Sequence, residues 1–199
     1  MSTHKRLGID VDGVLAAFAP AYEQRIVEVT GRDLFWPKPF TPDRWHYPEH
    51  LGYTAGEMKA VWDSIRQDQG FWRLLPRYDG VDDTVLLRGW SCTGNHSIYF
   101  VTTRVGESAK WQTERWFKDW WGEEFAATIL ITRNKPYAAV ALELDVFIDD
   151  YHQNTQQLAL SVPACHTYLL NRPWNANEFA GLDVVRVDTL EEMFVRESL

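Results

Sequence analysis

Cysteine is nearly missing from this 199-residue chain: there are two, Cys92 and Cys165, without the C-x-x-C spacing of a redox or metal pair. That excludes a disulfide framework. Both thiols are expected to act as small buried apolar groups in a reducing, cytoplasmic setting. Long apolar runs are missing as well. The run ending at Phe100 and Val101 falls far short of the ~20 residues that cross a bilayer. The opening MSTHKRLGID has no apolar stretch of a secretory signal. Positive charge is in deficit, with 20 Lys and Arg against 28 Asp and Glu and a net charge of −8. A protein that lives on nucleic-acid backbone contacts needs the opposite balance. Neither a nucleic-acid polymer nor a membrane is therefore expected as a partner. A small phosphorylated molecule is compatible with the acidity, because one metal ion and a few cations make a local anion site.

Hydrophobic residues at 45% and charged residues at 24% are ordinary for a globular domain, and the length predicts about one domain with an insertion. The abundant residue is Trp, at 10, which calls for either a heavily aromatic core or a pocket for a flat ligand. Short apolar runs recur along the chain: Leu7 to Val11, Ser97 to Val101, Thr128 to Ile131, Asp145 to Ile148, His166 to Leu170 and Val184 to Val187. They are continuous rather than alternating, as in strands buried on both faces of a parallel sheet. Helical patterns separate them, at 79–90, 108–121, 154–160 and 190–195. The fold class expected is α/β, a Rossmann-like parallel sheet flanked by helices. Residues 17–75 break the alternation. Tyr22 to Val29 has a helical pattern, the prolines of 36–42 exclude a regular helix, and Thr54 to Glu57 forms a capping box ahead of Met58, Val61, Trp62 and Ile65. A helical cap at 17–75 is thus expected between two parts of a core domain, 1–16 and 76–199.

Four of the apolar strands end in residues that can carry chemistry. The first ends in Asp10-Val11-Asp12-Gly13, which projects two carboxylates to one side. Close carboxylates repel, so they call for a cation or a shared proton. A calcium loop is excluded, because Val14, Leu15 and Ala21 stand at its fifth, sixth and twelfth positions. The second strand runs into Thr102-Thr103-Arg104, whose hydroxyls suit phosphate oxygens or an ordinary strand end. The third leads to Thr132-Arg133-Asn134-Lys135, with a Lys able to act as a point charge on a phosphoryl group or to sit solvated in a loop. The fourth ends in Asp149-Asp150, a pair suited to Mg²⁺. Singly each signal is modest. In a parallel sheet all four ends share one edge, so together they predict one phosphate and Mg²⁺ site.

This order resembles the haloacid dehalogenase superfamily in its Mg²⁺-dependent phosphatase branch. It is similar in particular to the 5′(3′)-deoxyribonucleotidases, on Asp10 to Ala16 followed by Phe18, on Trp62, on Phe71 before Leu75-Pro76 and Gly80, on Lys110 to Gly122, on Ile131 to Lys135, and on Phe147 to Asp150. The resemblance implies removal of phosphate from nucleoside monophosphates through an aspartyl-phosphate. Asp10 would be the nucleophile. Asp12 would protonate the leaving oxygen and then activate water. Mg²⁺ would be held by Asp10, the backbone carbonyl of Asp12, and Asp149, with Asp150 in support. Thr102, with Thr103 beside it, and Lys135 would hold the phosphoryl group. Phe18, Trp45, Trp62 and Phe71 would stack against the base. The resemblance also suggests a homodimer. A phosphatase of a sugar phosphate or other small metabolite would use the same machinery. Two features depart from that group: Arg104 after the paired Thr, and a longer stretch from Lys135 to Asp149. His46 and His50 flank Pro48 with no Cys nearby, which argues against zinc.

Overall fold

A computed structural model of the chain describes residues 4–78 and 96–198. The helix expected over 79–90, together with Gly80 and Cys92, lies outside the described residues.

The six apolar runs form six strands: β1 (Lys5–Ile9), β2 (His96–Thr102), β3 (Thr128–Ile131), β4 (Val146–Asp149), β5 (His166–Leu170) and β6 (Val184–Val187). They make one sheet in the order β3-β2-β1-β4-β5-β6, and every described pairing is parallel. In this order β1 lies at the centre: the chain runs from it outward through β2 to β3, then crosses back to β4 on its other side and continues outward. A ligand crevice forms at the carboxyl edge of such a switch point. Adjacent residues on β4 serve opposite faces, as the two-residue strand period requires. Ile148 packs with Ile9 and Phe100 against Trp116, Phe117 and Trp121 of α4 (Ala109–Trp121) and against Met193 and Phe194 of α7 (Leu190–Arg196). Phe147 packs with Val101 against Ala138 and Ala139 of α5 (Lys135–Ala141) and Leu158 of α6 (His152–Ser161). Part of the Trp excess is core: Trp72, Trp116 and Trp121 are fully buried, whereas Trp36, Trp111 and Trp120 are exposed. Burying a side chain of this size contributes about 3 kcal/mol.

Between β1 and β2 stand α1 (Phe18–Thr30), α2 (Tyr47–His50) and α3 (Ala55–Gln67). The capping box opens α3 as expected, with Thr54 Oγ1 accepting from the Glu57 amide at 3.2 Å and Glu57 Oε2 accepting from the Thr54 amide at 2.7 Å. Helix α1 starts four residues before the expected Tyr22. Pro20 is its third residue, where the missing N–H has no intrahelical partner to lose. Tyr22 and Ile26 of α1 pack against Met58, Val61 and Ile65 of α3. Residues 31–46 hold no helix or strand, in keeping with their three prolines. Among the described residues no helix is long and apolar enough to cross a membrane.

Candidate active site

The carboxyl ends of β1, β2 and β4 and the N-terminus of α5 meet at one cavity of about 500 Å³, lined by Asp10, Asp12, Thr102, Thr103, Lys135 and Asp150 on the sheet side. The chemistry-bearing ends that the sequence spreads over 140 residues are thus brought together. At the centre stands Lys135, 3% exposed. Its Nζ lies 2.7 Å from Asp10 Oδ2 and 2.6 Å from Asp149 Oδ2. Asp10 Oδ1 accepts from the Val11 amide at 2.7 Å. Asp149 accepts from the Tyr151 amide through Oδ1 at 2.8 Å and from Asn154 Nδ2 through Oδ2 at 3.0 Å. On the other strand end, Thr102 Oγ1 donates to Asp12 Oδ2 at 3.2 Å, and Thr103 Oγ1 is committed to the Thr132 carbonyl at 2.7 Å.

The turn after β1 admits this crowding through one residue. Gly13 has φ of +83°, and a Cβ there would fall on the Asp150 carboxylate. Glycine is therefore required both for the backbone and for space. Arg172 secures the same turn from the far side, donating from Nε to the Gly13 carbonyl at 2.6 Å and from Nη2 to the Val14 carbonyl at 3.1 Å, with its guanidinium 4.1 Å from the Tyr78 ring centre.

Three buried carboxylates here face one lysine, so the site is short of positive charge. Burial raises the Asp10 pKa to about 8 despite Lys135, with Asp149 adding repulsion. Burial likewise holds Asp150 well above the ordinary carboxylate range, with Asp149 and Asp10 adding to it. For Lys135 burial acts the other way, but Asp10 and Asp149 overcome it and raise its pKa. Asp150 Oδ1 is buried with no hydrogen-bond partner among the described residues. A ligand atom from each of Asp10, Asp149 and Asp150 lies within 4.8 Å of the others. A hard divalent cation with oxygen ligands suits this set: it would supply the missing charge and occupy the orphan oxygen.

Two neighbours of Asp150 were invisible in the sequence. Trp174, from the short 3₁₀ turn Pro173–Asn175, donates from Nε1 to Asp150 Oδ2 at 2.8 Å, and Asn175 Nδ2 donates to the Asp150 carbonyl at 2.7 Å. These bonds aim the unpartnered oxygen inward. Trp174→Phe keeps the ring and removes the donor, so Mg²⁺ affinity measured by calorimetry is expected to fall about 10-fold, the usual cost of losing an outer hydrogen bond to a ligand. Unchanged affinity would show that the indole acts by packing alone.

The other walls of the cavity are aromatic. Phe18, Trp45 and Trp62, three of the four rings singled out in the sequence, line it. Trp62 also packs on Phe18 and Tyr22, with ring centres 6.0 and 5.2 Å apart, so it serves the core and the wall together. Trp45 stacks on Tyr151 at 4.1 Å, joining the insertion to the loop after β4. Phe71 is a correction. It does not line the cavity but packs beneath the Arg25 guanidinium at 5.1 Å and edge-on to Trp72. Trp72, its neighbour, takes the wall position.

A comparison with protein-family models found no match, and a comparison with curated proteins found none. Solved structures do match. One is a HAD-hydrolase from Bacillus subtilis bound to magnesium, with 14% identity, a TM-score of 0.59 and coverage of 99% of this chain and 100% of that one. Another, a haloacid dehalogenase-like family hydrolase from Streptococcus pneumoniae, matches at 13% identity and a TM-score of 0.60 over 98% and 100%. The chain has the haloacid dehalogenase-like fold. A third structure, described as a phosphoglycolate phosphatase from Lactobacillus plantarum, shares that fold at 17% identity and a TM-score of 0.61 over 97% and 99%. At these identities the haloacid dehalogenase-like fold is what is shared. The finer resemblance to nucleotidases finds no support in these names.

Proposed function

We propose that this protein is a Mg²⁺-dependent phosphohydrolase of small phosphate monoesters. The observation that carries the reading is Lys135 bridging Asp10 and the buried Asp149 at the wall of a cavity that Asp12 and Thr102 also line. Asp10 is the nucleophile: its carboxylate attacks phosphorus, an acyl-phosphate bond forms, and the ester oxygen leaves with its electron pair. Asp12 supplies the proton that the leaving oxygen needs and then takes one from the attacking water. Lys135 and the Thr102 hydroxyl orient the phosphoryl oxygens. Asp10, Asp149 and Asp150, together with the Asp12 carbonyl, would hold Mg²⁺, which would supply the positive charge that a phosphate dianion needs beside a carboxylate. Helices α1, α2 and α3 act as the cap that shapes the rest of the cavity.

For the substrate, the phosphoglycolate phosphatase among the structural neighbours supports a small metabolite such as a sugar phosphate. The cavity itself favours a second reading, a nucleoside monophosphate, because Phe18, Trp45 and Trp62 offer flat apolar faces. Stacking of a base on such a ring is worth roughly 1–3 kcal/mol. A phosphate-release panel spanning sugar phosphates, short acid phosphates and nucleoside monophosphates separates them. Release that EDTA abolishes is expected in either case. If a nucleotide is preferred, Trp45→Ala is expected to raise its KM about 10-fold. If a ring-free ester is preferred, Trp45→Ala and Phe18→Ala leave its KM unchanged. Absence of EDTA-sensitive release across the whole panel would overturn the phosphohydrolase reading.

A further inference from the structure

Arg104 stood out in the sequence as a departure, and nothing in the chemistry above uses it. Its side chain is fully buried, yet it carries a charge into the floor of the active site. Nε donates to Asp12 Oδ2 at 2.9 Å and Nη2 to Asp12 Oδ1 at 2.7 Å, a bidentate pair. Nη1 donates to Thr113 Oγ1 at 2.9 Å, and that hydroxyl donates to the Ala109 carbonyl at 2.7 Å in α4. The guanidinium carbon lies 5.1 Å from the ring centre of Trp72. Trp72 is itself pinned, with Nε1 donating to the Val105 carbonyl at 2.8 Å. The guanidinium is therefore held along its edge by Asp12 and Thr113 and on one face by the Trp72 ring.

A buried ion pair adds little net stability over apolar residues of the same size, so stability alone gives weak reason for an arginine here. What a planar fork held on one edge and one face does give is direction. Asp12 follows β1 in the turn at Gly13 and is partly exposed to the cavity; among the described residues, Thr102 is the other side chain that donates to its carboxylate. We infer that Arg104 is a positioning residue, which acts through Asp12: Oδ2 is taken up by Nε and by Thr102 while Oδ1 accepts one bond from Nη2, so the free lone pair of Oδ1 is the one that carries the proton to the leaving oxygen and recovers it from the attacking water. A lysine could not replace it, because a point charge does not set the carboxylate plane.

This inference rests on the phosphohydrolase reading for its kinetic consequences but not for its structural one, and the test has an arm for each. In kcat/KM, which reports the step that expels the leaving group, Arg104→Gln is expected to lose about 100-fold on an alkyl phosphate. On p-nitrophenyl phosphate, whose leaving group needs little protonation, the loss is expected to stay below about 10-fold. Arg104→Lys is expected to behave like Arg104→Gln. In an Asp12→Asn background, Arg104→Gln is expected to cost nothing further, since residues acting as one unit are non-additive. Equal losses on both esters, rescue by Lys, or a full additional loss in the Asp12→Asn background would overturn the inference. In a crystal structure of Arg104→Gln, or of Arg104→Lys should Gln prevent folding, the Asp12 carboxylate is expected to leave Thr102. An Asp12 unmoved from Thr102 would overturn the inference whether or not any ester is hydrolysed. A wild type inactive on both esters, with Asp12 displaced in the variant, would instead remove the phosphohydrolase reading and leave the positioning role standing.

Discussion

Asp10→Asn is expected to lower kcat by about 10⁴-fold or more, the scale on which removing a nucleophile acts. The amide is isosteric, so the cavity keeps its shape, but it cannot form the acyl-phosphate bond. The fold is expected to survive because Lys135 retains Asp149 at 2.6 Å. Without metal the variant is expected to melt higher than the parent at pH 8, on the order of 5 °C. The reason is that one of three crowded buried carboxylates has gone. Calorimetry and steady-state kinetics on the same preparations check both halves. A variant with wild-type turnover would remove Asp10 from the chemistry.

The second large effect is the dependence of stability on pH and on Mg²⁺ together. In the native protein burial raises the Asp10 pKa to about 8, whereas in the unfolded chain it returns to the ordinary value of 3.8. Between those values the native state holds a proton that the unfolded state has lost. Stability from this group is thus fully present below about pH 4 and is lost as pH rises through about 8. Asp150 is shifted in the same direction by the same burial and adds to the trend. Mg²⁺ competes with those protons, so it binds best where they have left. At an Mg²⁺ concentration 100-fold above its Kd, the melting temperature at pH 8 is expected to rise by roughly 5–10 °C. At pH 5 a shift of less than half that is expected. Thermal scans with and without EDTA measure this directly. A shift that is equal at both pH values would show that the ion binds elsewhere.

How far the sequence alone reaches differs from element to element. The six strands are legible because a strand buried on both faces needs an unbroken apolar run, and the chain has one such run for each strand. The polar ends of those strands are legible for a related reason: a parallel sheet brings its carboxyl ends to one edge, so Asp10, Thr102, Lys135 and Asp150 converge without any long-range guess. The walls were less visible. Phe71 and Trp72 are neighbours in an irregular segment, where no period says which ring turns toward the cavity and which toward Arg25. Trp174 and Arg172 lie in a loop whose only sequence signal is Pro173, so their hold on Asp150 and on the Gly13 turn emerges only in three dimensions. Arg104 shows the limit most clearly. The sequence marks it as unusual, but its meaning comes from Asp12, ninety-two positions earlier.

The central claim is that phosphorus passes through the carboxylate of Asp10, and it can be caught there. Asp12→Asn should expel an easy leaving group but hydrolyse the acyl-phosphate poorly. That variant is incubated with p-nitrophenyl phosphate and Mg²⁺, quenched in acid, and mapped by peptide mass spectrometry. Expected is one phosphoryl group on the peptide that contains Asp10, and none when Asp10→Asn is added. Phosphate release with no phosphoryl group on that peptide, or with the group carried by another peptide, would contradict it.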